Sequence, residues 1–328
     1  MAEPQSIKAK TAIRRSSSYF EDGDIVLSLE KGKTTQIFRV HRALLSHHSP
    51  VFRDMLSLGA QSNNAKYDGV PIVHIPDDDA DDFAELVRVL YDPSALYLKL
   101  EKNNPDLSLL LTGLMSLAEK YLIETIRTTI LTCVKSVWPT TLEEWDHIQA
   151  SINLATKSGR PSERIFHEPL AAIGFANRFN VSEVLPAAFY LLSITNMEHG
   201  RDGRLSVTLS DTDPDTDTEE PMPMQKQPSA RWSALDRQGL LQFMMGRDRL
   251  YNAAFELIYC GGFYQNHSKP AEEFLHIMAK STKTERRMDP VAFLKTLAEK
   301  PNSELRSRFL RAREALWDKL PQFFDLSI

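Results

Sequence analysis

Three histidines, His41, His47 and His48, fall close together, and imidazole is the commonest protein ligand for transition metals. Two of them lie six and seven residues from the first, and solvated or capping histidines are the expectation there. Asp211-Thr-Asp-Pro-Asp-Thr-Asp217 places an acid at every second position, as a calcium loop does. The rest of that loop fails: Thr216 stands where the sharp turn needs glycine, Met222 where a bidentate glutamate is needed, and Pro214 interrupts it. A solvated acidic linker is expected there instead. The chain has no G-x-S-x-G elbow, and Cys133 and Cys260 both lie in apolar helical stretches. Gly261-Gly262 reads as the end of a helix and not as a phosphate-binding loop. No catalytic residue, cofactor or metal site is therefore expected.

Two basic features remain. Arg14 and Arg15 precede three serines, a pattern that suits a kinase target or a targeting element, or else a solvated tail. Arg306, Arg308, Arg311 and Arg313 alternate with Leu305, Phe309, Ala312 and Leu316, the pattern of an amphipathic helix that packs on its own domain with its arginines in solvent. The rival reading is a transcription-linked factor whose basic helix touches nucleic acid.

With 328 residues, 42% hydrophobic and 25% charged, the chain can bury enough apolar surface for two compact units. A formal net charge of -5 offers no general attraction for a phosphate backbone, which argues against a nucleic-acid partner. Two cysteines cannot make a disulfide framework, and Met1 to Ser18 lacks the apolar core of a secretory signal. No stretch approaches eighteen uncharged apolar residues, so no membrane span is expected. These features point to an intracellular protein, in the cytoplasm or the nucleus.

The elements that carry these residues follow from periodicity. Asp24 to Leu29 and Gln36 to Val40 read as two strands joined by a Gly-containing turn. His41 to Ser46 gives a short helix, and Pro50 opens a second one carrying Val51, Phe52, Met55 and Leu56. Residues 59–69 read as a loop, 70–75 as a strand, and Asp77, Asp78 and Asp79 as capping acids ahead of a helix with Phe83, Leu86, Val87 and Leu90. Helices are expected from about Asp106 to Tyr121 and from Ile123 to Val137. Beyond them the chain reads as helical: Glu143 to Ala150, Pro169 to Phe179, Val181 to Ile194, Asp236 to Tyr259, Ala271 to Lys280, Pro290 to Lys300 and Ser303 to Leu320.

The strings Asp24-Ile-Val-Leu, Phe38-Arg-Val-His-Arg-Ala-Leu-Leu-Ser46, Ser49-Pro-Val-Phe-Arg-Asp-Met55, Val73-His-Ile-Pro-Asp77 and Leu117-Ala-Glu-Lys-Tyr-Leu122 together resemble the BTB/POZ domain. The layout is similar to single-BTB proteins of filamentous and mushroom-forming fungi, which carry a helical tail. The resemblance implies an α+β BTB/POZ fold, a small sheet with clustered short helices, followed by an all-α extension. The expected divisions are a disordered tail 1–18, the BTB/POZ domain 19–138, a helical extension 139–199, an acidic linker 200–229 and a helical C-terminal region 230–328.

The resemblance also implies function: a non-enzymatic scaffold or adaptor that binds protein partners through the BTB domain. It implies a partly buried charged pair of Asp24 and Arg42 beside a dimer surface, and His41 belongs to the same segment. Leu44, Leu45, Val51 and Met55, around the first two helices, are the residues for a two-fold patch and hence a homodimer; their alternative reading is core. BTB proteins with zinc fingers dimerise through an added N-terminal helix and strand, but Met1 to Ser18 shows no apolar helical stripe. Many relatives recruit a cullin ligase through an apolar-x-Glu motif after the second helix. This chain reads Leu56-Ser-Leu-Gly-Ala-Gln-Ser-Asn-Asn64 there, with no glutamate, which argues against a cullin adaptor.

Overall fold

The run Ile25-Val-Leu-Ser-Leu29 has no polar alternation, and a strand apolar on both faces belongs in the middle of a covered sheet. In the structure, a computed structural model describing residues 12–62, 65–100, 104–158, 166–195, 230–259, 289–299 and 303–327, it lies there. Strand β2 (Ile25–Lys31) pairs antiparallel with β3 (Thr34–Val40) and parallel with β5 (Val70–His74). Outside these run β1 (Ala12–Tyr19), parallel to β3, and β4 (Lys66–Tyr67), antiparallel to β5, so the order is β1-β3-β2-β5-β4. The expected linker 200–229, the helix Ala271–Lys280, Cys260 and Gly261-Gly262 lie outside the described residues.

Of the expected tail 1–18, residues 1–11 lie outside the described residues, and Ala12–Tyr19 is a strand of the sheet. Its sequence gives no apolar alternation: only Ser16 and Ser18 are buried, and small hydroxyl side chains face inward where a sequence pattern looks for Val or Ile. What holds β1 is its ladder to β3 and two side chains. Arg15 donates to the Asp68 carboxylate at 2.6 Å, and the Tyr19 hydroxyl donates to the same oxygen at 2.6 Å. Asp68 sits in the turn between β4 and β5, at the opposite edge of the sheet, so the sheet curls and this contact closes it. Asp68 and Gly69 both have positive φ, 48° and 80°, as an Asp-Gly two-residue hairpin turn requires. Residues 59–69 are thus less of a loop than expected, since a helix runs on to Ser62 and β4 precedes the turn.

The chain divides into two compact units, Met1–Glu101 with Leu110–Thr132, and Lys102–Leu109 with Cys133–Ile328. In the first, α1 (Arg42–His48), α2 (Pro50–Ser62), α3 (Ala80–Tyr91), α4 (Ser94–Lys99) and parts of α5 (Leu107–Lys120) and α6 (Glu124–Val137) accompany the sheet. Its core centres on four rings. Phe52 stacks on Tyr121 at 4.1 Å between centroids, and Phe83 meets Phe38 edge-on at 5.2 Å and Phe52 at 6.2 Å. All four are almost fully buried, and truncating one of the phenylalanines to Ala would cost about 3–5 kcal/mol.

Of the three expected capping acids, only Asp79 caps α3, accepting from the N–H groups of Asp81 and Asp82 at 2.8 and 3.0 Å. Asp78 instead accepts from the Tyr121 hydroxyl and pairs with Lys120 at 2.6 Å, while Asp77 takes a left-handed φ of 62°. Helix α5 ends in a Schellman arrangement: the N–H of Ile123 reaches the Ala118 carbonyl at 2.8 Å and that of Leu122 the Glu119 carbonyl at 3.2 Å. Leu122 sits in the left-handed position of this motif, φ 53°, with its side chain 60% exposed.

The second unit is helical, with α7 (Leu142–Ser158), α8 (Pro169–Phe179), α9 (Leu185–Ser193), α10 (Arg237–Tyr259), α11 (Pro290–Ala298), α12 (Ser303–Asp318) and α13 (Leu320–Phe323). Segment Lys102–Leu109 belongs to this unit. Arg231 explains why: it donates to the fully buried Asp106 at 3.0 Å. Thr141 and Glu144 form a reciprocal capping box at the start of α7, each side chain accepting from the other's N–H at 3.2 Å. Helices α8 and α11 both begin with proline behind an acidic cap, Glu168 and Asp289. Asp289 also accepts from the Tyr190 hydroxyl at 2.5 Å and from Gln149 Nε2 at 2.9 Å, beside the packed rings of Trp145, Tyr190 and Trp317. Gly246 lets α10 approach the chain end: a Cβ there would lie 2.1 Å from the Phe324 ring.

Candidate functional site

Asp24, His41 and Arg42 come together where β3 leads into α1. Gly23 allows the approach, since a Cβ at that position would stand 2.9 Å from the Val40 nitrogen. The next residue, Asp24, bonds its N–H to the Val40 carbonyl at 3.1 Å and turns its carboxylate toward the start of α1. There Asp24 Oδ1 accepts from the backbone N–H of Arg42 at 2.7 Å. His41, the residue ahead of the helix, gives no side-chain cap, so Asp24 satisfies an otherwise orphaned donor from the neighbouring strand.

This contact replaces the expected charged pair. Among the described residues no ion pair joins the Asp24 carboxylate to the Arg42 guanidinium; Asp24 is exposed, and the Arg42 Nε is buried without a hydrogen-bond partner. The acid's role in this segment is to fix a helix end, which needs no basic side chain.

His41 is held by Tyr91, the residue that closes α3. The Tyr91 hydroxyl accepts from the His41 N–H at 2.8 Å and lies 2.8 Å from Nδ1 of the same imidazole, while His41 Nε2 stands 3.4 Å from Asp22. Tyr91 stacks on Phe20 at 4.2 Å, and burial, with Asp22 and Asp24 nearby, moves its phenol above the usual range. The signal for it was its place as the last residue of the apolar stripe of α3.

Ser49 fixes the second joint. Its fully buried hydroxyl donates to the Tyr121 carbonyl at 2.5 Å and accepts from the Phe52 N–H at 3.0 Å, with Pro50 opening α2 behind it. Between these two pinned ends, Leu45 is core, with no exposed surface. Leu44 on α1 and Val51 and Met55, one turn apart on α2, are each partly exposed. The expected patch therefore divides: Leu45 is buried, and the other three reach the surface.

Residues 16–132 match the family model of the BTB/POZ domain, and this part of the chain is a BTB/POZ domain, with the small curled sheet and clustered helices described above. The match begins within β1. No curated protein matches the chain. BTB/POZ domains are a non-enzymatic family that generally mediates protein–protein interaction.

Other features noted in the sequence have structural roles where they are described. Arg313 departs from the expectation of solvated arginines: it is 5% exposed, donates to the Val291 carbonyl at 3.0 Å and pairs with Asp146. Arg306, Arg308 and Arg311 do face solvent. A shallow pocket of about 180 Å³ lies where α6 gives way to α7, but its charged groups are engaged, Glu144 in its capping box and Lys135 with Glu183 at 2.7 Å. Among the described residues no group of three or more His, Cys, Asp or Glu is placed to hold a metal ion, and no helix is long and apolar enough to cross a membrane. The side chains from residue 58 to residue 64, where a cullin-binding motif would lie, are outside the described residues.

Proposed function

We propose that the chain is an intracellular scaffold or adaptor that works by self-association through the α1–α2 face of its BTB/POZ domain. The observation that carries this reading is the combination of exposure with fixation. Leu44, Val51 and Met55 are partly exposed on two short helices whose starts are pinned by Asp24 and Ser49. A patch on helices already held in place loses little conformational freedom on association, so more of its burial appears as affinity. A two-fold interface needs one such patch on each copy.

Light scattering of the full chain tests it. A mass near twice 37.3 kDa is expected, falling to the monomer when Leu44 and Met55 are both changed to Asp, with an unchanged circular dichroism spectrum. A monomer for the unaltered chain up to about 100 μM, a concentration at which an interface of ordinary size holds two copies together, would overturn the proposal.

A further inference from the structure

Ser17 has arginine at both the second and the third position before it, Arg15 and Arg14, and no other serine or threonine of the chain has a basic residue at both. The structure presents this serine in an unusual way. The β1–β3 ladder pairs Ala12 with Thr34 through Arg15 with Ile37, then resumes at Tyr19 with Arg39. Three residues of β1, Ser16 to Ser18, thus stand opposite the single residue Phe38, and the strand bulges there. Ser16 and Ser18 turn inward, whereas Ser17 is exposed, and no hydrogen bond engages its hydroxyl among the described residues. Arg14 is also exposed, with no ion pair among the described residues.

We propose that Ser17 is a phosphorylation site for a protein kinase that reads arginines two and three residues before its target. Such an enzyme matches acidic side chains to the two guanidinium groups and takes its substrate as an extended chain. β1 is already extended, lies at the sheet edge and is unladdered at the serine, so little pairing has to open. ATP is the donor: the Ser17 oxygen bonds to the γ-phosphorus, the bond from that phosphorus to the ADP oxygen breaks, and the hydroxyl proton leaves to the kinase's base.

The product changes the neighbourhood. A phosphoserine carries a charge of about -1.5 to -2 and three strong acceptor oxygens. Two residues away, Arg15 is the group that reaches across to Asp68 and also lies over the Tyr19 ring at 4.4 Å. The phosphate competes with Asp68 for that guanidinium, and the closure of the curled sheet is the contact it weakens.

The test uses the full chain, ATP and the purified catalytic subunit of an arginine-directed kinase, with the phosphate located by fragmentation mass spectrometry. One phosphate per chain is expected on Ser17, abolished in Ser17→Ala and formed at least tenfold more slowly in Arg14→Gln, whose melting temperature stays unchanged. Phosphate on another residue, an unchanged rate in Arg14→Gln, or modification of a peptide spanning residues 10–22 but not of the folded chain would each overturn the assignment. Amide exchange over residues 12–19 should quicken in the phosphorylated protein while residues 25–31 stay as they were. Identical exchange in both forms would overturn the competition for Arg15.

Discussion

His167 is 8% exposed and its Nδ1 has no hydrogen-bond partner, so little compensates a charge on its ring. Burial draws its pKa down to about 4, although the Asn104 carbonyl and the Asp106 carboxylate act in the other direction. An unfolded chain takes up that proton near 6.5. Between those values the unfolded state binds a proton that the folded state refuses, so stability is lost as pH falls from 6.5 toward 4, by on the order of 3 kcal/mol. Glu168, beside it, works in the opposite sense: burial holds its carboxyl above the ordinary range, which favours the folded state as pH falls through that raised value. Urea unfolding of the wild type and of His167→Gln at pH 7 and pH 5 separates the two. The wild type should lose stability relative to the variant at the lower pH, and a difference that does not vary with pH would exclude this account.

At the scale of elements, two helix ends with the same geometry carry different residues. Helix α8 finishes at Asn180, φ 55°, with the Val181 N–H on the Ala176 carbonyl at 2.9 Å; asparagine tolerates that conformation. Helix α5 finishes the same way at Leu122, where a Cβ-bearing apolar residue is strained. Because the Leu122 side chain is mostly exposed, Leu122→Gly should raise stability by about 1 kcal/mol, measurable as a higher urea midpoint at unchanged slope. A lower midpoint would mean that Leu122 is held by packing. Helix starts were the most legible part of the sequence, because Ser49-Pro50, Asp79 and the proline openings of α8 and α11 state their capping chemistry in two or three adjacent residues. The contact that Asp24 makes is not legible in the sequence, since its partner is a backbone N–H eighteen residues away and a side-chain type cannot announce that. Six-residue α4 escaped notice because so short a helix shows no period.

For the molecule as a whole, what the sequence hid was long-range and polar. The strand pair, the apolar stripes of α3, α5 and α6 and the BTB/POZ order could be read, because they are written in hydrophobic periodicity. β1 could not, because a strand held by backbone pairing and by Asp68, forty-nine residues from Tyr19, leaves no periodic trace. The inward turn of Arg313 to Asp146, 167 residues away, was hidden for the same reason. Asp68→Asn, which keeps a side chain suited to the left-handed turn, should loosen that closure: amides of residues 12–19 are expected to exchange roughly fivefold faster, with β2 and β3 unchanged. Equal rates throughout would show that the ladder to β3 alone holds the strand.

The placement of β1 also bears on how the chain is made. It leaves the ribosome before the groups that hold it, since its ladder partner ends at residue 40 and its clasp is residue 68. At ordinary rates of synthesis the wait from Tyr19 to Asp68 lasts about 3–10 s. A strand made before its partners is therefore the one that closes the sheet, and during that interval it is a bare, arginine-bearing ribbon available to whatever meets nascent chains.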